Sequence, residues 1–301
     1  MKNEEYNMKN TNHSSYKQTK TPWLRRAIGS GVKFQVSGFK FQELRFFILN
    51  SSFFISLFLL ASTARAQTFD IGDYSGRPGV GTGTSVTPKN KLLWETGLEY
   101  NHVKEHGYQD GLWTLNTSKL RYGLSNNTEV FADVSYFLGE VEDHHANGFG
   151  PLTLGTTLRV CEENGIVPRT VFITKLMLPT GAKEFRTEEI APAFHISFSY
   201  SLSDRLSMTN DIGFDWDGTN PKPITLESLS FSYSCSPRFG LYAESYNYFR
   251  KYDRPDFNAG LGCTYQLNKH IIFDLLGVID LNKNDTEFGV SFGLCWLLNN
   301  K

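Results

Sequence analysis

The sequence predicts an all-β fold, a transmembrane antiparallel up-and-down β-barrel of about twelve strands with short periplasmic turns and longer extracellular loops. Three observations carry this. Residues 191–214 alternate with period two: Phe194, Ile196, Phe198, Tyr200 and Leu202 interleave with His195, Ser197, Ser199 and Ser201. After the turn Ser203-Asp204-Arg205, Leu206, Met208, Ile212 and Phe214 interleave with Ser207, Thr209, Asp211 and Gly213. Most alternating segments approach the ~9–11 residues of a tilted membrane strand, where globular strands centre nearer ~5–6. Finally, the connections between them alternate between tight and long. A soluble sheet would also alternate, burying its apolar face under a second layer. That reading does not account for strand length and loop sorting together.

Composition narrows the class. The 301-residue chain has a formal net charge of −1, so it lacks the basic excess of a nucleic-acid binder. Past residue 66 no apolar run approaches the ~20 residues of a membrane helix. A chain that spans lipid without helices must close its sheet, because only a closed barrel then satisfies every backbone polar group.

Residues 1–40 are polar, without a core pattern, and read as a disordered extension or a misassigned start. Residues 41–66 read as a signal peptide: Lys33, Lys40 and Arg45 precede the apolar block 46–60, and Ala64 and Ala66 form an A-x-A site. Cleavage is expected between Ala66 and Gln67. An uncleaved anchor is the alternative, disfavoured by the short block and by Asn50, Ser51 and Ser52. Residues 67–90, with Gly76, Gly79, Gly81, Gly83 and two prolines, show no periodicity and read as a loose periplasmic leader. The barrel is expected over residues 91–301.

Strands are expected at residues 92–100, 114–122, 128–137, 152–160, 170–178, 192–202, 206–214, 224–235, 239–248, 256–267, 271–280 and 287–298. Tight connections centre on Asn126, Asp204, Pro237 and Lys269, with 162–168 slightly longer. The long ones are residues 101–112, 138–151, 179–191, 215–223, 249–255 and 281–286. Short turns at one end and long loops at the other put both termini on the periplasmic side.

Parity then sorts the strand residues. The last strand turns Phe288, Val290, Phe292, Leu294 and Trp296 outward and Gly289, Ser291, Gly293 and Cys295 inward. The same rule places Glu95, Glu99, Lys119, Arg121, Glu129, Asp133, Arg159, Lys175, His195, Asp211, Glu244, Asp274 and Asp280 in the lumen. Inward placement avoids the about 2–4 kcal/mol that an Arg or Lys costs at the lipid midplane. These residues are lumen-lining and selectivity candidates, filtering solutes by charge and width. The competing reading is salt-bridged filler that braces or plugs the interior. Trp94, Tyr100, Tyr122, Tyr136, Tyr200 and Tyr265 fall near strand ends and suit an interfacial girdle. Asn210 breaks the outward apolar pattern, through a strand defect or a register error.

The segment Gly76-Arg77-Pro78-Gly79-Val80-Gly81-Thr82-Gly83-Thr84-Ser85-Val86-Thr87-Pro88-Lys89, followed by Trp94-Glu95-Thr96-Gly97-Leu98-Glu99-Tyr100, resembles the start of the MetA-pathway-of-phenol-degradation family of outer-membrane transporters. Further matches are Leu120-Arg121-Tyr122-Gly123-Leu124, Leu178-Pro179-Thr180-Gly181 and the final hairpin 272–296. The family usually carries Thr-Asp before Arg-Pro, where this chain has Ser75-Gly76, so no role for that aspartate carries over. The resemblance implies a channel-like barrel and fixes no substrate.

The function expected is passive or facilitated passage of small solutes, hydrophobic or aromatic ones among them, through the outer membrane of a Gram-negative bacterium. A non-transporting structural or partner-binding barrel is the alternative. Outer-membrane lipid, an unknown small solute and the barrel-assembly machinery are the expected partners, with no nucleic acid, no cofactor and no metal. No enzymatic step is expected. His195 with Ser197 and Asp211 invites comparison with a hydrolase, yet no G-x-S-x-G elbow occurs and the histidine shares the polar face. His144 and His145 beside Asp143 and Glu142 read as a solvated loop rather than a metal site. Cys161, Cys235, Cys263 and Cys295 have no metal-ligand spacing and are expected as free thiols.

Overall fold

The computed structural model describes residues 74–105, 108–141, 144–251, 254–282 and 286–298. The expected signal peptide, its cleavage at Ala66 and Gln67, the extension 1–40, and Glu142 and Asp143 lie outside the described residues. Among these residues there is no helix.

Thirteen strands follow in chain order: β1 Leu92–Glu105, β2 Tyr108–Gly123, β3 Thr128–Val141, β4 His144–Phe149, β5 Thr153–Cys161, β6 Arg169–Met177 and β7 Ala191–Ser201. Then come β8 Leu206–Asp215, β9 Ile224–Ser234, β10 Phe239–Phe249, β11 Asp256–Asn268, β12 Ile271–Asp280 and β13 Thr286–Leu298. Apart from β4 and β5, consecutive strands pair antiparallel. The sheet closes through β1 and β13, from Leu92↔Leu298 to Lys104↔Thr286. β4 and β5 both pair with β3, β4 on residues 136–141 and β5 on residues 128–133. They occupy one place in the wall, interrupted at Gly150-Pro151, so the closed barrel has twelve strands.

Two expected long loops are corrected. Residues 101–112 and 138–151 are mostly strand: β1 and β2 continue pairing to Glu105↔Tyr108, and β3 and β4 to Val141↔His144. Alternation persists far enough in Leu112-Trp113 and Phe137-Leu138 to keep pairing favourable. His144 and His145 consequently sit in β4 and not in a loop.

The ring is inside-out relative to a soluble core. Leu261 (72% exposed), Phe292 and Leu275 face outward, while Glu129, Asp211, Asp274 and Ser197 are buried inside. The soluble reading would require the reverse. On the outer face Trp94 approaches Trp296, and Tyr100 approaches Trp113 and Phe288. All four cysteines are free thiols.

Asn210 is neither a defect nor a register error. β8 runs in regular register, Phe198↔Asn210 and Asn210↔Leu229. Its side chain donates to the Ser228 carbonyl at 2.8 Å and lies 3.5 Å from Glu227. Glu227 also accepts from Asn247 at 2.7 Å. The two amides donate to Glu227, which lowers the cost of a carboxylate on that face.

Candidate functional site: the strapped lumen

The expectation of a loose periplasmic leader over residues 67–90 is corrected for the described part. Residues 74–90 run inside the ring as a strap, lined up with carboxylates on the wall. Gly76 N–H donates to Glu95 on β1 at 2.6 Å, and Thr87 N–H to Glu129 on β3 at 2.7 Å. Between these ends the tip crosses the lumen. Val80 N–H reaches Glu244 on β10 at 3.0 Å, and Thr82 N–H reaches Asp211 on β8 at 2.9 Å. Thr84 and Ser199 on β7 share a hydroxyl contact of 2.7 Å. The Ser85 hydroxyl returns to the Ser75 carbonyl at 3.4 Å, closing the loop on itself.

An aperiodic glycine-rich segment can do this for a physical reason. A chain without sheet partners leaves its N–H groups unpaired, and burying them unpaired is costly. Here wall carboxylates take the place of a neighbouring strand. Gly79 has φ +130°, and a Cβ there would collide with the Tyr242 hydroxyl. A Cβ at Gly81 would collide with Ser228. At the exit, Asn90 adopts the left-handed conformation (φ 59°) that asparagine tolerates, turning the chain from lumen into wall. Asn90 N–H then bonds the Gly123 carbonyl at 2.8 Å.

Arg121 organises the short-turn half. It reaches Glu95 at 2.8 Å and Glu129 at 3.0 Å, and also donates to the carbonyls of Tyr74 at 2.8 Å and Ser85 at 3.0 Å. Thr157 adds a hydroxyl bond to Glu129 at 2.9 Å. A buried ion triad is stable only with its remaining hydrogen-bond capacity filled, and the strap's carbonyls fill it. Beside it Val86 of the strap packs on the inward Phe131, Val171 and Ile173. Gly155 pairs with Phe131, and a Cβ there would overlap its ring.

A second network lies on β6–β8. Asp211 accepts from Ser197 at 2.7 Å and lies 3.0 Å from His195 Nδ1. His195 Nε2 lies 3.0 Å from Asp215 and 3.3 Å from Lys175. Gly213, paired with His195, leaves room for the imidazole, which a Cβ would strike. The serine meets the aspartate and not the histidine, so these residues do not form the nucleophile–base pair a hydrolase needs.

Of the residues assigned to the lumen by parity, Glu95, Arg121, Glu129, His195, Asp211, Glu244 and Asp274 are buried inside the ring. Lys119, Asp133 and Lys175 line a cavity of about 180 Å³ beside the strap. Glu99 lies 3.7 Å from Arg77 of the strap. Arg159 joins none of this. It pairs with Glu162, three residues on, at 2.7 Å at the short-turn rim, where Glu162 also holds Arg169 at 2.8 Å. The nearest opposite charge is in the turn, so the side chain stays at the rim.

Sequence reasoning missed the strap's own contributors, Arg77, Thr82 and Val86. It also missed Phe185 of the segment between β6 and β7, fully buried and stacked on Phe137 at 5.1 Å beside Leu112. The available hint was the inward parity of Phe131, Val171, Ile173, Leu112 and Phe137, apolar residues on a face otherwise polar. Below the strap tip, a cavity of about 370 Å³ is lined largely by hydroxyls, among them Ser199, Ser207, Ser228, Ser230 and Thr264.

A closed twelve-stranded ring, apolar outside and polar inside, with sorted connections, is an outer-membrane β-barrel. The chain belongs to the family described as "Putative MetA-pathway of phenol degradation", whose model matches residues 75–298, the strap included. Among solved structures it is similar to an outer membrane channel from Pseudomonas putida F1, at 13% identity and a TM-score of 0.56, covering 74% of this chain and 100% of that one. The toluene transporter TodX of Pseudomonas putida is more distant, at 10% identity and a TM-score of 0.43 over 79% of this chain and 99% of that one. No curated protein matches the sequence.

Proposed function

We propose that this barrel passes small solutes across the outer membrane and that the strap sets its bore. The supporting observation is water-sized space of about 180 and 370 Å³ on either side of one peptide segment, in a lumen lined by hydroxyls and charged groups. The strap is held mainly by single hydrogen bonds to its main chain, each worth roughly 1.5–3 kcal/mol with a charged acceptor. Such a segment can shift without unfolding the wall. Passage driven by a gradient needs no cofactor and no chemical step. Leu112, Phe137 and Phe185 pack on one another near the long-loop end, an apolar plug that small hydrophobic or aromatic solutes would have to part.

Export through a signal peptide cut between Ala66 and Gln67 would leave a short mature segment ahead of the strap. The barrel-assembly machinery would insert the ring, and outer-membrane lipid would cover the outward phenylalanines. N-terminal sequencing of protein from outer-membrane fractions tests this, and a start elsewhere than Gln67 refutes the cleavage site.

Planar-bilayer recording of the purified full chain tests the channel. Discrete conductance is expected, small with the strap intact. Silence for both the wild type and a variant lacking residues 76–83, with unchanged solute uptake in a deletion strain, would sink it. The second reading, a structural barrel without transport, draws on one observation: Arg121, Glu95, Glu129 and the strap cross-brace the lumen.

A further inference from the structure

Arg77 sits in a cradle built for its head group. Its guanidinium donates to Asp274 on β12 through Nε at 3.0 Å and Nη2 at 3.2 Å, and to the Ser291 hydroxyl on β13 at 2.7 Å. Glu99 on β1 stands at 3.7 Å. The Asp274 side chain is 0% exposed, whereas Arg77 keeps 15%. Two strand glycines shape the floor. A Cβ on Gly97 would lie 2.8 Å from Nη2, and one on Gly293 would overlap the guanidinium. The planar group therefore lies against bare backbone where β1 meets β13, with a carboxylate gripping its edge.

The holder and the held differ in kind. Asp274, Ser291, Glu99 and the two glycines belong to the paired strands of the wall, where β1 and β13 are in regular register and β1 shifts register against β2 between Gly97 and Glu99. Arg77 belongs to a segment whose β-bridge lies twelve residues on, at Lys89 with Gly123. A buried carboxylate that loses its cation is left uncompensated, so a vacated cradle would recruit another. Charge-assisted, fork-shaped contact favours guanidinium over a compact ammonium.

We propose that the Asp274–Ser291–Glu99 cradle is a ligand site for guanidinium-bearing solutes, that Arg77 occupies it as a tethered stand-in, and that such a solute frees this end of the strap by taking its place. The displacement half rests on the channel reading above; the binding half does not. A tethered competitor on a short linker has an effective concentration of about millimolar. Free ligand therefore acts on the wild type only from roughly the millimolar range upward, and at lower concentration once the tethered group is removed.

The probe is methylguanidinium, with methylammonium as its comparison, on the full chain in detergent. By calorimetry, Arg77→Ala is expected to bind methylguanidinium at least about tenfold more tightly than the wild type and more tightly than it binds methylammonium. Adding Asp274→Asn is expected to abolish this. Equal binding by Arg77→Ala and the double variant overturns the site. If Arg77→Ala does not fold, Arg77→Lys keeps the charge without the fork; it should still bind the probe more tightly than the wild type, and failure to do so counts equally against the proposal. In bilayers, methylguanidinium at tens of millimolar should raise wild-type open probability several-fold over equal sodium chloride. An unchanged open probability overturns the displacement. Silence of every variant in bilayers would strike the channel reading, while calorimetry still decides the cradle.

Discussion

One oxygen of Asp211, Oδ2, lies 2.9 Å from the main-chain nitrogen of Thr82 and 3.0 Å from Nδ1 of His195, so a single wall carboxylate joins the strap tip to the histidine network. Its other oxygen accepts from Ser197 at 2.7 Å. The side chain is fully buried. That makes Asp211 the point at which the position of the strap and the packing of the wall are tied together.

Asp211→Asn is expected to loosen the tip and to weaken the barrel. The amide keeps the shape but presents one acceptor to three donors, leaving a buried group unsatisfied at a cost of about 1–3 kcal/mol. Open probability in planar bilayers should rise and the urea midpoint of unfolding in detergent should fall. A variant with wild-type gating and stability would contradict the link.

Thr82→Pro separates the two effects. It removes the N–H that Asp211 accepts from the strap, fixes φ there, and leaves Ser197 and His195 in place. The expected outcome is raised conductance with an unfolding midpoint near wild type, since the wall is untouched.

Gly213→Ala tests the fit of His195. A methyl group there meets the imidazole, and overpacking of this kind costs about 1–3 kcal/mol. Added to His195→Ala, the same change should cost much less than it does in the wild type, because the collision has already gone. Unfolding of the two single variants and the double variant gives the coupling energy.

Leu261→Arg tests the lipid face. Leu261 is 72% exposed on the outside of β11, and an arginine in the apolar band costs about 2–4 kcal/mol at mid-depth. The variant should lose heat-resistant migration on cold gels at a lower temperature than wild type. No change would place that face away from hydrocarbon.

The alternation of the strands was enough to settle the wall. Period-two patterning fixes which side of Phe292, Leu261, Glu129 and Asp274 is which, and a one-residue slip would put charges into lipid, so register is specified locally and strongly. The sorted connections fixed the order and the even ring. Extensions such as Glu105↔Tyr108 were less legible, because polar strand ends read like loops until cross-strand pairing is seen. Arg159 keeps the parity of the inward Thr157, but parity gives the face and not the partner, and its carboxylate, Glu162, lies in the turn.

The sequence alone therefore determined a closed antiparallel wall and its two faces, because that information resides in a short-range repeat. Only the tertiary structure decided what occupies the interior. The strap has no repeat of its own, and its conformation is set by Glu95, Glu129, Asp211, Glu244 and Asp274, residues up to 197 positions away that meet it only once the ring has closed.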